Sequence, residues 1–211
     1  MENEKELILK QIQTIQNSVS NRAKVMPDAP AHYFVWSFLS FVSIATPYWM
    51  VDVANYTGLN YTLILALELI LMLIVGFGLT SMLLQKELDS SGLICVPELR
   101  IMRNVYLATL SFSAILTLIL VDAQMYYFIS GIWLFALGLS MYVENALSKR
   151  FFGNMGIYLV LISFVFLLFC YFSNLPKEEL CFIGDSFGFV FISGLLAFLG
   201  IKLYSLKNNN V

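Results

Sequence analysis

Histidine occurs once, at His32, and cysteine three times, at Cys95, Cys170 and Cys181. One imidazole and three thiols in no metal-ligand spacing argue against a multi-histidine centre or structural zinc. Charge is scarce too: Asp, Glu, Lys and Arg make up 12% of the 211 residues, about half the usual share. A net charge of −2 supplies no clustered basic surface, so nucleic acid is not an expected partner. The sequence has no Gly-rich phosphate loop, no His-Glu-x-x-His, no Cys-His pair in one compartment and no pair of intramembrane aspartates. The expectation is a chain that is not an enzyme and carries no cofactor and no metal. The opening residues MENEKELILKQ are charged and periodic where a secretory signal has an apolar middle, so the first membrane helix is expected to act as its own address.

What the chain has in abundance is apolar surface. Hydrophobic residues reach 59%, with 18 phenylalanines, more than a soluble core of this size can hide. Runs long enough to cross roughly 30 Å of hydrocarbon at about 1.5 Å per helical residue lie near 32–53, 61–84, 102–121, 125–145, 154–173 and 184–204. None alternates like a strand, and backbone groups in lipid must be satisfied internally. The fold expected is therefore an all-α integral membrane protein, a six-transmembrane-helix bundle preceded by a cytoplasmic amphipathic helix. Residues 1–30 form that helix and a linker, 31–205 the bundle, and 206–211 a short tail.

Eleven of the twelve Lys and Arg side chains fall before the first run, between the second and third, between the fourth and fifth, or at the close of the chain. Only Lys177 falls on the other side. By the positive-inside bias, both termini are expected in the cytoplasm, and short loops suggest a bacterial inner membrane. The outer loops carry Asp52, Asp122, Glu178, Glu179 and Asp185. Asp52 and Asp122 are candidate cation sites on this acidic rim, or acids that the bias simply tolerates.

Before the first run, Ile8, Ile12, Ile15 and Val19 make one apolar stripe on a helix of about five turns. The stripe lies against the bundle or in the interface plane, or it docks a partner helix. The loop from Gln85 to Asn104 reads as a turn at Asp89–Gly92 followed by Pro97, suited to start a helix. Loops of this size dock cytoplasmic ATPases in some transport systems, a fold-level analogy. Two Asn-Tyr-Thr triplets, at Asn55 and Asn60, match the glycosylation pattern but sit close to the membrane, where Tyr56 and Tyr61 are better interfacial anchors.

Helices in lipid associate through small residues and cross-helix hydrogen bonds. Gln124, Gly131, Gly138 and Asn145 recur every seven residues on the fourth run. Tyr106, Thr109, Ser113 and Thr117 form a stripe on the third, and Gly184 and Gly188 stand four apart at the start of the sixth. Each stripe serves packing within the bundle or between copies. Pro47 should kink the first run. Cys170 and Cys181 face the compartment where a disulfide is permitted.

The most unusual residue is Glu68, set in TLILALELILML with nothing basic nearby in sequence. Burial without a cation favours the neutral acid, which donates a hydrogen bond. It is structural, bonded to the Ile64 carbonyl or to a neighbouring helix such as the Thr and Ser stripe of the third run; or it lines a wet path and exchanges protons or binds a cation; or it belongs to an interface with another protein. Glu144 reads as a residue of the cytoplasmic boundary, and His32 likewise. Two functions remain: a non-enzymatic subunit or regulator in a membrane complex, with the lipid bilayer and a second copy or another protein as partners; or a small transporter, coupled to protons or cations through Glu68 or forming the membrane half of an ATP-driven permease. The orientation has a direct check. A reporter enzyme active only outside the cytoplasm, fused after Lys149, should be silent, and activity there would reverse the topology.

Overall fold

The computed structural model describes residues 10–13, 30–46, 54–58, 60–91, 97–148 and 154–209. Among these residues there is no strand. The longer helices are α1 (Pro30–Ala45), α2 (Tyr61–Ser91), α3 (Pro97–Asp122), α4 (Ile129–Ser148), α5 (Met155–Phe172), α6 (Lys177–Gly188) and α7 (Leu195–Asn209). A 3-10 turn, Tyr126–Phe128, leads into α4, and a π-helical stretch, Phe189–Gly194, joins α6 to α7 in one rod.

Among the described residues, five helical stretches are long and apolar enough to cross a membrane: Tyr61–Lys86, Ile101–Asp122, Tyr126–Ala146, Met155–Phe172 and Lys177–Ser205. The chain is thus a helical, multi-pass membrane protein. α1 has 16 residues, about 24 Å at helical rise and short of a full hydrocarbon core. Pro47 and Asp52, with the rest of the first apolar run, lie outside the described residues, as do Ile8, Ile15, Val19 and Cys95. Residues 10–13 are helical and exposed, Ile12 among them.

Two boundaries differ from the sequence expectation. α2 continues through Ser91, so Asp89–Ser91 belong to helix where a turn was expected; Gln85 to Leu88 are good helix formers, and one more turn added to an existing helix needs no new nucleus. The last rod starts at Lys177 rather than near 184. Its first turn carries Glu178 and Glu179, acids that favour a helix N-terminus through the macrodipole while lowering the hydropathy that marks a span. Pro97, as expected, opens α3.

α4 is the centre of the bundle. It packs on α3, α5 and α6, while α1 packs on α2, the π-helical stretch and α7. Leu134 and Met141 of α4 are among the most enclosed side chains, and Tyr33, Trp36, Met72, Leu110, Leu196 and Leu199 join them in the main core. The outward faces remain apolar, with Phe38, Leu71, Phe112, Val165, Phe172 and Phe198 exposed. Such surface would be a liability in water and is the ordinary lipid-facing surface of a membrane bundle.

Small residues set the closest approach. A Cβ at Gly156 of α5 would stand 2.4 Å from the Tyr142 backbone nitrogen, and one at Gly138 of α4 would stand 2.9 Å from the Val160 nitrogen. Backbone meets backbone here, and no side chain can rotate away. Gly131 faces Leu167 on α5, Gly184 faces the Tyr127 backbone, and Gly188 faces Ser130. Gln124 does not join this seam: it is exposed in the α3–α4 turn with φ +58°, so the seven-residue count from it crosses a break in helical register. Asn145 is part-buried near the far end of α4. Gly156→Ala should lower unfolding free energy by about 1–3 kcal/mol in detergent-based unfolding, while Gly78→Ala, whose Cβ would meet nothing within 4 Å, should raise it by about 0.5–1 kcal/mol through helix propensity.

Candidate functional site

The polar side chains of the bundle gather along three helix contacts. Along α3 and α4, Thr109 and Ser140 hydroxyls meet at 2.7 Å, and the Trp133 indole N–H donates to Thr117 Oγ1 at 2.9 Å. Thr109 and Thr117 also back-bond to Val105 and Ser113 carbonyls, and Ser113 is buried between. Each step along α3 is matched by a step back along α4, as antiparallel packing requires. Between α1 and the π-helical stretch, the Ser37 hydroxyl donates to the Ser193 carbonyl at 2.8 Å and the Ser193 hydroxyl returns a bond to the Ser37 carbonyl at 3.0 Å. π-helical turns free backbone groups for such contacts.

Continuing the α3–α4 ladder, Tyr106 donates to Glu144 Oε2 at 2.8 Å. Tyr33 of α1 reaches Glu144 Oε1 at 3.4 Å, and Glu144 is 4% exposed. A carboxylate expected at the membrane boundary is therefore packed inside the bundle, where phenol donors from two helices replace water. His32 joins the same cluster. Its Nδ1 lies 3.2 Å from Thr80 Oγ1 on α2, and its ring meets Tyr33, Trp36 and Tyr106 edge to face. Three helices thus converge around one histidine.

Glu68 faces α1 towards the opposite end of the bundle. Ser43 donates to its Oε1 at 3.4 Å, and the Thr46 hydroxyl bonds the same oxygen. The partner is α1, not the α3 stripe offered as one possibility by the sequence. Oε2 is buried and without a hydrogen-bond partner. Thr46 Oγ1 also lies 2.9 Å from the Val42 carbonyl, and a hydroxyl has a single hydrogen. With that hydrogen on Val42, Glu68 must supply the next one as a neutral acid; with it turned to Glu68, the group accepts as a carboxylate. A hydroxyl rotation accommodates either protonation state.

Between the two carboxyl groups lies a cavity of about 30 Å³ whose lining includes His32, Tyr33, Trp36, Ser40, Met72 and Tyr106. Met72 stands one turn from Glu68 on the same face of α2, and Ser43 Oγ lies 2.8 Å from its sulfur. Of the remaining candidates, Asp122 is exposed at the end of α3, apart from this cavity. Cys170 and Cys181 are free thiols. Among the described residues no group of three His, Cys, Asp or Glu side chains is placed to hold a metal ion.

Fold and site together define a multi-pass helical membrane protein with two carboxyl groups inside its bundle. Comparison of the chain with protein-family models, curated proteins and solved structures finds no match.

Sequence reasoning missed Glu144 and His32 as site residues because hydropathy places them near span ends. The available signal was the Tyr106 stripe, which, run antiparallel against α4, reaches Glu144. Tyr106→Phe should cost about 0.5–1.5 kcal/mol of unfolding free energy, the net worth of a typical hydrogen bond, with exposed Tyr158→Phe unaffected.

Proposed function

We propose that this chain is a small membrane transporter coupled to protons or cations through Glu68. In this reading it crosses a bacterial inner membrane six times, with Pro30–Ala45 opening the first pass and both termini in the cytoplasm. The observation that carries the proposal is the half-satisfied state of Glu68. One carboxyl oxygen is held by hydroxyls that have competing acceptors, the other has no partner, and both protonation states fit the same backbone. A carboxyl with a purely structural role would gain from complete satisfaction, because an unpaired polar atom in a membrane interior is costly.

A second reading rests on a different observation. Residues 10–13 are helical and exposed, with 48% of Ile12 uncovered, and Ile12 belongs to the apolar stripe that the sequence offers as a handle for another protein. The chain would then be a non-enzymatic subunit or regulator. Purified protein that is monomeric, free of co-purifying partners and active in flux favours the transporter.

The direct test uses the full chain in liposomes filled with a pH-sensitive dye. Pulses of Na⁺ or K⁺, with membrane voltage clamped, should move protons in the wild type, and Glu68→Gln should abolish the response. Equal responses from both proteins would remove Glu68 from the mechanism.

A further inference from the structure

Oxygen dominates the end of α1 beside Glu68. Glu68 Oε1 is approached by Ser43 Oγ at 3.4 Å and bonded by the Thr46 hydroxyl, and Oε2 is buried with no hydrogen-bond partner. The Ser43 carbonyl lies 3.4 Å from Thr46 Oγ1. Four places after Ser43 stands Pro47, which has no N–H, so the usual helical bond to that carbonyl cannot form. α1 ends at Ala45, and the last carbonyls of a helix carry partial negative charge. Carboxyl group and helix end thus meet at Thr46. Neither α1 nor the facing part of α2 brings a basic side chain to them, since no Lys or Arg occurs between Lys24 and Lys86.

Both hydroxyls have another acceptor for their hydrogen. Ser43 Oγ lies 2.8 Å from the Met72 sulfur, and Thr46 Oγ1 lies 2.9 Å from the Val42 carbonyl. A hydroxyl that donates elsewhere keeps its lone pairs, so Ser43 and Thr46 can both present lone pairs to one ion beside Glu68. A proton on Glu68 needs a single acceptor, whereas a hard metal cation needs several oxygens at once. Size and charge then narrow the ion. A cation of calcium's size sits about 2.4 Å from its oxygen ligands, which sets neighbouring ligand oxygens about 3.4 Å apart. That is the separation of Ser43 Oγ from Glu68 Oε1 and of Thr46 Oγ1 from the Ser43 carbonyl. Na⁺ has this size, and K⁺ spreads its ligands further. One carboxylate offsets one positive charge, so a divalent ion would leave excess charge in a membrane interior.

We infer that Glu68, the Ser43 and Thr46 hydroxyls and the Ser43 carbonyl form a sodium site at the end of α1, taken in turn by Na⁺ and by a proton on Glu68. The inference rests on Glu68 as the coupling group and names the cation it takes. As Na⁺ enters, the Glu68 carboxyl releases its proton, Ser43 turns its hydrogen to the Met72 sulfur, and Thr46 turns its hydrogen to the Val42 carbonyl. One positive ion replaces another, so the charge of the site is unchanged.

The test is binding rather than transport: equilibrium dialysis of the purified full chain in detergent against radioactive Na⁺. Wild type should bind one Na⁺ per chain, with K⁺ at least about tenfold weaker than unlabelled Na⁺ as a competitor. Below the titration range of the carboxyl group, each unit of pH should weaken binding about tenfold, because one proton is exchanged for each Na⁺. These arms need no substitution, so they stand even where a variant fails to fold. Glu68→Gln should abolish binding. Thr46→Val should weaken it about tenfold, whereas Thr46→Ser, which keeps the hydroxyl, should bind within about twofold of wild type. Glu179→Gln, at an exposed position of α6, should change nothing. Absence of saturable Na⁺ binding in the wild type, equal competition by K⁺, or binding retained in Glu68→Gln or Thr46→Val overturns the inference. Dialysis requires no transport, so Na⁺ binding without cation-driven proton movement would reject the transporter and keep the site. Proton movement driven by K⁺ alone would keep the transporter and overturn the sodium site.

Discussion

The constraint on which this structure depends is the absence of water as a partner for polar side chains in hydrocarbon. Each hydroxyl, indole or carboxyl carried into the bundle must find its donor or acceptor on its own helix or a neighbour, at a cost if it fails. The Thr109–Ser140 and Trp133–Thr117 bonds hold α3 to α4, and the paired Ser37–Ser193 bonds hold α1 to the π-helical stretch. Glycine contacts such as Gly138–Gly156 bring α4 and α5 backbones together without any polar group. Packing by small residues and bonding by hydroxyls are thus divided between the two flanks of α4. α5 presents glycine at its closest approach to α4, whereas α3 presents Tyr106, Thr109 and Thr117, each with a partner on α4.

Much of this was legible in the sequence. Apolar runs near 61, 102–121, 125–145 and 154–173 mark α2 to α5 closely, because hydropathy over a span changes abruptly at its ends. The stripe of Tyr106, Thr109, Ser113 and Thr117 was legible as a polar face because helical period places those positions together. The contacts of Gly131, Gly138, Gly184 and Gly188 lie within the bundle. What pairs with a face was not legible, since that depends on which helices become neighbours. Glu68 illustrates it: the residue stood out at once, but nothing in its own run indicates that Ser43 and Thr46 of α1 supply the hydroxyls.

Glu144 and His32 were hidden for a different reason. Both sit close enough to span ends that water contact is the default expectation, and neither perturbs the hydropathy of its run. Tertiary packing overrides that default: α3 against α4 brings Tyr106 onto Glu144, α1 adds Tyr33, and α1 against α2 sets His32 against Thr80. The early start of α6 was obscured by the same mixture of signals, because the acids that stabilise its first turn are the ones that lower its hydropathy. In each case local chemistry was read correctly in kind and assigned the wrong surroundings.

The two carboxyl groups differ in a way that bears on what each can do. Glu144 receives a phenol on each oxygen, from helices that are themselves locked into the core. Through those bonds Glu144 ties α1, α3 and α4 together. Glu68 has an unpaired oxygen and hydroxyl neighbours whose single hydrogens can turn either way. Its protonation can change with no helix moving. The same constraint thus has two outcomes in one bundle: at Glu144 the hydroxyl partners join three helices, and at Glu68 they leave one carboxyl oxygen unpaired.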